Sequence, residues 1–239
     1  MSNEFQEWAV SFSGCDGGDI GSKEHPSIWV CGIEWGGGNT PDDIRDAMKY
    51  PENVPPRGYR DLEEQLGYRF NQWAFKLLAA INGQRVEDYG AFAEQAKPFV
   101  EGSRGYFKMN LFPIAFKKTD HNLFSGEFSS VTGFASKNDY IQFCKEYRFP
   151  QIRSWAQTYV PDLVICTGKG CKDYFSSAFG VTSTFNLEKM QDRPDHINWA
   201  VNSWGSLIVV LPFFGNGQFS NEGAQIVGER IADLRKRRV

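Results

Sequence analysis

Nothing in these 239 residues is long and apolar enough to cross a bilayer as a helix. The longest hydrophobic runs, such as "LIVVLPFF", fall far short of the roughly 20 residues that a membrane helix needs. The opening "MSNEFQEWAV" is acidic and lacks the apolar centre of a secretory signal, so a cytoplasmic protein without membrane attachment is expected. Histidine is scarce: His25, His121 and His196 all lie in polar stretches. No G-x-S-x-G accompanies them and their spacing supplies no metal-ligand set, which argues against a serine hydrolase and a histidine-bound metal. Cys15, Cys31, Cys144, Cys166 and Cys171 include no C-x-x-C pair, which argues against a zinc ribbon or a simple iron–sulfur site. They read as buried free thiols, and neither metal nor cofactor is expected. Positive charge is not in excess either. The net charge of −3 argues against a protein that coats nucleic acid nonspecifically, while leaving room for a local basic groove. The basic "RKRR" (235–238) closes a predicted helix, where cations complement the helix dipole.

What the chain does have is a globular composition, 41% hydrophobic and 15% aromatic, arranged as apolar β-rich runs alternating with helical patterns. Strands are predicted at 27–34, 106–116, 162–168 and 206–214, with "WAVSF" (8–12) as an edge strand. Phe70, Trp73, Ala74, Leu77, Leu78 and Ile81 recur at helical spacing up to the stop signal Asn82-Gly83. Further helices are predicted over 137–159, interrupted near Pro150, over "GCKDYFSSAF" (170–179), and after a Ser220/Asn221 cap. Near-continuous apolar strands separated by helices imply a parallel sheet covered on both faces. The expectation is one α/β domain spanning 1–239, a three-layer α/β/α sandwich around a mostly parallel four-stranded sheet.

Open sheets of this kind bind ligands beyond the carboxyl ends of their strands. The first predicted strand ends there in "GIEWGGGN" (32–39), an acid followed by Trp35 and three glycines. Glu34 is a candidate to activate water or hold a substrate donor; the alternative is a carboxylate that accepts hydrogen bonds from loop amides. Gly36, Gly37 and Gly38 would let a backbone or phosphate approach closely, although no G-K-[ST] follows to make a P-loop. Asn110 interrupts the apolar run "YFKMNLFPI". It ties down a neighbouring loop or reads the donor–acceptor edge of a ligand, because an unpaired buried amide is costly.

Taken together these segments resemble the uracil-DNA glycosylase superfamily, in a divergent form. That family ends its first strand in G-Q-D-P-Y or G-M-N-P-G, whose third residue handles the attacking water. "GIEWG" keeps the spacing and puts Glu34 there, with Trp35 in place of the proline. The family's second strand carries an Asn that reads the uracil amide edge, and "KMNLFPIAFKK" matches with Asn110, trailed by Lys117 and Lys118. Aligning "FNQWAFKLL" with the family's F-x-G-x-x-G-x-L-L makes Phe70 the residue that stacks on a flipped base, with core packing as the other reading of the same side chain. "PDLVICTGKGC" resembles the third strand. The family's terminal H-P-S is missing, and Phe213 of "LPFFGNG" stands where its histidine would fall.

The resemblance implies two functions. One is a DNA glycosylase that flips a damaged or modified base onto Phe70, reads it with Asn110 and attacks the sugar C1′ with water oriented by Glu34. Trp35, Phe213 and Asn216 would line the same pocket. Gly36 to Gly38, Lys117 and Lys118 would meet DNA phosphates in a local basic groove, whether the DNA is single- or double-stranded. The other is a catalytically inactive nucleobase- or nucleic-acid-binding module of the same fold. The carboxyl ends of the strands are expected to bring Glu34, Asn110 and the Phe213–Asn216 segment around one pocket.

Overall fold

A computed structural model describes residues 2–116, 124, 126–189, 196–214 and 220–237. The chain is α/β. The four predicted apolar runs form β2 (Ile28–Gly32), β3 (Tyr106–Asn110), β4 (Leu163–Thr167) and β7 (Leu207–Leu211), paired in parallel in the order β3-β2-β4-β7. In β2, Ile28 and Val30 point to one apolar cluster and Trp29 and Cys31 to the other, so both faces are buried. β2, β4 and β7 read as nearly continuous apolar runs for that reason.

The expectation of four strands is corrected to seven. Three antiparallel strands extend the parallel core into a mixed sheet, in the order β1-β3-β2-β4-β7-β6-β5. β1 (Cys15–Gly18) borders β3, while β6 (His196–Val201) and β5 (Asn186–Lys189) extend the far edge. β1 is the four-residue "CDGG" and β5 is mostly exposed, so neither has an apolar run to announce it.

The predicted edge strand "WAVSF" is not a strand. Most of it ends helix α1 (Asn3–Val10), which Ser2 caps by accepting from the Phe5 amide. Phe5, Trp8 and Ala9 lie on one helical face and bury together. The segment between β2 and the predicted helix at 70–81 contains two helices, α2 (Pro41–Met48) and α3 (Leu62–Leu66).

Helix α4 (Arg69–Ile81) ends at Asn82 as its spacing predicts, followed by α5 (Tyr89–Ala96). These two and α10 (Asn221–Arg237) cover one face of the sheet. The Ser220 hydroxyl accepts from the Gly223 amide to cap α10. Gly228 of α10 lets that helix settle on α4, since a Cβ there would run into Ala80. The other face carries α1, α2, α6 (Gly126–Thr132), α7 (Lys137–Phe143), α8 (Phe149–Tyr159) and α9 (Lys172–Ala178).

The predicted interruption near Pro150 is a π-helical turn at Cys144–Arg148, with Pro150 in the first turn of α8. That turn drives Arg148 into the core, where it is fully buried. Its guanidinium donates to the carbonyls of Ala9 (2.5 Å), Ser11 (3.2 Å), Ser13 (2.6 Å) and Leu111 (2.9 Å). It thereby fastens the segment leading into β1 to the end of β3.

Candidate functional site

The carboxyl ends of β2 and β3 meet in register, Gly32 beside Asn110. Asn110 is buried, and its Nδ2 donates to the Gly14 carbonyl at 3.1 Å. Its Oδ1 lies over Gly32, where any Cβ would collide with it. Among the described residues no donor reaches that oxygen. The Phe70 ring arrives from α4 and ends 3.8 Å from the same Cβ position. Gly32 is thus the residue that lets an aromatic ring and a carboxamide share one spot on the sheet. Phe213 and Phe214 complete the aromatic wall, with ring centroids 6.2 and 5.2 Å from Phe70. Phe213 is half-buried and flanks Phe70 with an apolar ring.

Beside this spot lies a buried charge pair that the pattern reading overlooks. Lys108, two residues before Asn110 and therefore on the same face of β3, donates to Asp16 Oδ1 at 3.1 Å and to the Tyr59 hydroxyl at 2.9 Å. Tyr59 donates to the same Asp16 oxygen at 2.5 Å, and Trp35 Nε1 donates to Oδ2 at 3.1 Å. The ammonium also stands 5.4 Å from the Phe70 ring centre and 5.3 Å from that of Tyr59, both within cation–π range. Burial and the neighbouring Asp16 carboxylate push the Tyr59 hydroxyl well above its usual range, so it stays protonated and donates. Asn71, fully buried on α4, turns its amide toward Tyr59, yet neither amide atom closes a hydrogen bond of full geometry. A lysine inside the apolar strand "YFKMN" was the available signal, because buried lysines are rare unless paired.

The structure therefore gathers Trp35, Phe70, Asn110 and Phe213 on the α4 side of the strand ends. It does not bring Glu34 to them. The chain bends at Ile33 and Glu34, which breaks the alternation of the strand. The Glu34 carboxylate faces α7 instead, 3.8 Å from Lys137 Nζ, while Trp35 turns the opposite way to Asp16. Lys137 in turn lies over the Phe116 ring at 4.3 Å, on the α7 face of the sheet. The expected convergence of Glu34 and Asn110 is corrected on this point. Among the described residues no backbone amide donates to Glu34, so it does not tie the loop together. Burial raises its pKa to about 7, against the opposing pull of Lys137.

The glycines after Trp35 are open: a Cβ on Gly36 or Gly37 would touch nothing within 4 Å. The loop ends at Asn39, whose Oδ1 accepts from the Ala115 amide at 2.7 Å. Next comes α2, closed by a capping box between Thr40 and Asp43 and carrying Asp42 and Asp43 in its first turn. Acids in a first helical turn complement the positive end of the helix dipole. Lys117, Lys118 and Asn216 lie outside the described residues.

Among the described residues no three His, Cys, Asp or Glu side chains group to hold a metal. Four cysteines are buried and Cys171 is half-buried, all as free thiols. Burial pushes the Cys15 and Cys144 thiols up to about 12, which keeps them protonated and unreactive. No described helix is long and apolar enough to cross a membrane. Comparison with protein-family models and with curated proteins finds no match for this chain.

Proposed function

We propose that this chain is a nucleobase-binding module, built on the α/β scaffold that its motifs share with the uracil-DNA glycosylase superfamily. The observation that carries this reading is the meeting, over side-chain-free Gly32, of the Phe70 ring and an Asn110 Oδ1 that no described donor reaches. A planar heterocycle stacked on Phe70 offers its edge to that oxygen, and an edge N–H is the group it would accept. Trp35 and Phe213 extend the apolar contact, while the Lys108–Asp16 pair holds Trp35 and Tyr59 in place. Stacking on one aromatic ring is worth about 1–3 kcal/mol per base, so Phe70→Ala should weaken binding about 5- to 150-fold. Titration of nucleobases and mononucleotides, followed by calorimetry, measures this. Binding that Phe70→Ala and Asn110→Ala both leave unchanged would reject the site.

A second reading, base excision, is favoured by one observation. Glu34 is a largely buried carboxylate at the ligand edge of the sheet, with its pKa raised to about 7. A carboxylate poised near neutrality suits proton transfer, and a positioned general base contributes about 10²- to 10⁴-fold in rate. Single-turnover assays on duplexes carrying uracil, hypoxanthine, xanthine or oxidised pyrimidines decide between the readings. Base release by the native chain that Glu34→Gln abolishes would establish excision. Binding without release establishes the module.

A further inference from the structure

Asp16 and Tyr59 belong to a second feature beside the aromatic site. Together with Gly58, Arg60 and Glu64 they line an open cleft of about 360 Å³. That volume lies at the lower end of the range for small-molecule sites. Its polar groups are only partly used. An ionised carboxylate offers about four acceptor positions. Asp16 fills three, two on Oδ1 from Tyr59 and Lys108 and one on Oδ2 from Trp35. Among the described residues no donor fills the fourth, on Oδ2, and Asp16 lines the cleft. Glu64 and Arg60 share the cleft, and among the described residues neither side chain forms an ion pair or a hydrogen bond. Asn71, fully buried, turns its amide toward Tyr59, and among the described residues neither amide atom closes a hydrogen bond of full geometry. The cleft thus presents surplus acceptors and one cation next to a place fitted to a base.

We propose that this cleft takes the ribose of the nucleotide whose base meets Phe70 and Asn110. Two vicinal hydroxyls supply the two donors that Asp16 and Glu64 are placed to accept, and Arg60 faces the phosphate. Deoxyribose within a DNA strand has no free hydroxyl to offer. The ligand class is therefore a ribonucleotide with a free 2′,3′-diol, either a mononucleotide or the 3′-terminal residue of an RNA. The inference rests on the base-binding reading and adds sugar discrimination to it.

The test is a calorimetric titration of the full chain with the four ribonucleoside 5′-monophosphates and their 2′,3′-dideoxy counterparts. A short RNA ending in a 3′-diol and the same RNA ending in a 3′-phosphate complete the set. The expected result is about tenfold tighter binding of the ribo form, the worth of one or two well-placed hydrogen bonds. Glu64→Gln should reduce that ratio without weakening the dideoxy ligands, and its melting temperature checks that the exposed substitution leaves the fold intact. Arg60→Ala should weaken nucleotides more than nucleosides. RNA bound through its 3′-diol more tightly than any mononucleotide identifies the RNA end as the source. The reverse ranking identifies the free nucleotide. Equal affinity for ribo and dideoxy forms, with binding still lost in Phe70→Ala, overturns the ribose assignment and leaves the base site standing. No binding by any member of the set overturns both.

Discussion

Glu34 shows how one residue separates a position along the chain from a position in space. Its raised pKa comes from burial, with Lys137 at 3.8 Å only partly offsetting it. The folded-state value, about 7, lies above the 4.5 of an ordinary glutamate, so the native state binds more protons than the unfolded one between those limits. Stability from this group is fully present below the lower value and is lost as pH rises through the upper one. Glu34→Gln keeps the shape and removes the charge. The variant should therefore gain on the native chain as pH rises from 5 to 8, by on the order of 1–3 kcal/mol. Denaturant melts of both proteins at the two pH values measure this, and a difference that does not change with pH would show that burial does not govern the group. Arg148 is the opposite case, a buried cation satisfied by carbonyls rather than a carboxylate. It links 9–13 to 110–111, which is the frame that holds Asn110.

Elements meet here through side-chain-free contacts as much as through apolar ones. The crossing of α4 and α10 depends on Gly228, because a Cβ there would collide with the Cβ of Ala80. Two effects oppose each other in Gly228→Ala. Helix propensity favours alanine by about 1 kcal/mol, while overpacking a tight helix contact costs about 1–3 kcal/mol. The collision involves a helix interior on both sides, with no flexible side chain to yield, so the second effect should win and the variant should be less stable. Adding Ala80→Gly should recover part of the loss, since the two sites are directly coupled. A stabilised single variant in thermal melts would contradict the crossing. At the strand ends, Gly32 plays the same part for Asn110 and Phe70.

At the scale of the whole molecule, stability should fall from the middle of the sheet outward. β2 and β4 each pair with a parallel neighbour on both sides, bury both faces and sit between the two apolar clusters. β5 has four residues, pairs among the described residues only with β6 and is largely exposed. Beyond that pairing, Glu188 ties it to Arg230 of α10 through a partly exposed ion pair of modest worth. Such an edge is also the kind that proteins keep short and charged to discourage further pairing. Hydrogen exchange should find the β2 and β4 amides opening only with global unfolding, and those of β5 exchanging by local opening. Equal protection across the sheet would mean that the antiparallel edge folds as one unit with the core.

Apolar runs marked β2, β4 and β7 from sequence alone, because strands buried on both faces show no polar alternation, and β3 was marked despite Lys108 and Asn110 within it. The periodicity of 69–81 determined α4 in the same way, and the end of each strand marked the edge where Asn110 and Phe70 meet. Tertiary structure decided the rest. β1 and β5 carry no local apolar signal and exist because a neighbour supplies their hydrogen bonds. "WAVSF" looked like a strand in a five-residue window and became helix because Phe5 joins Trp8 and Ala9 in burial. The Lys108–Asp16 pair joins residues 92 apart in sequence, which no local pattern can announce. A bend at Ile33 and Glu34 sent consecutive side chains to opposite sides of the sheet and parted Glu34 from Asn110. Periodicity records which residues are buried, but the face a residue takes after a strand ends depends on the contacts that bend the chain there.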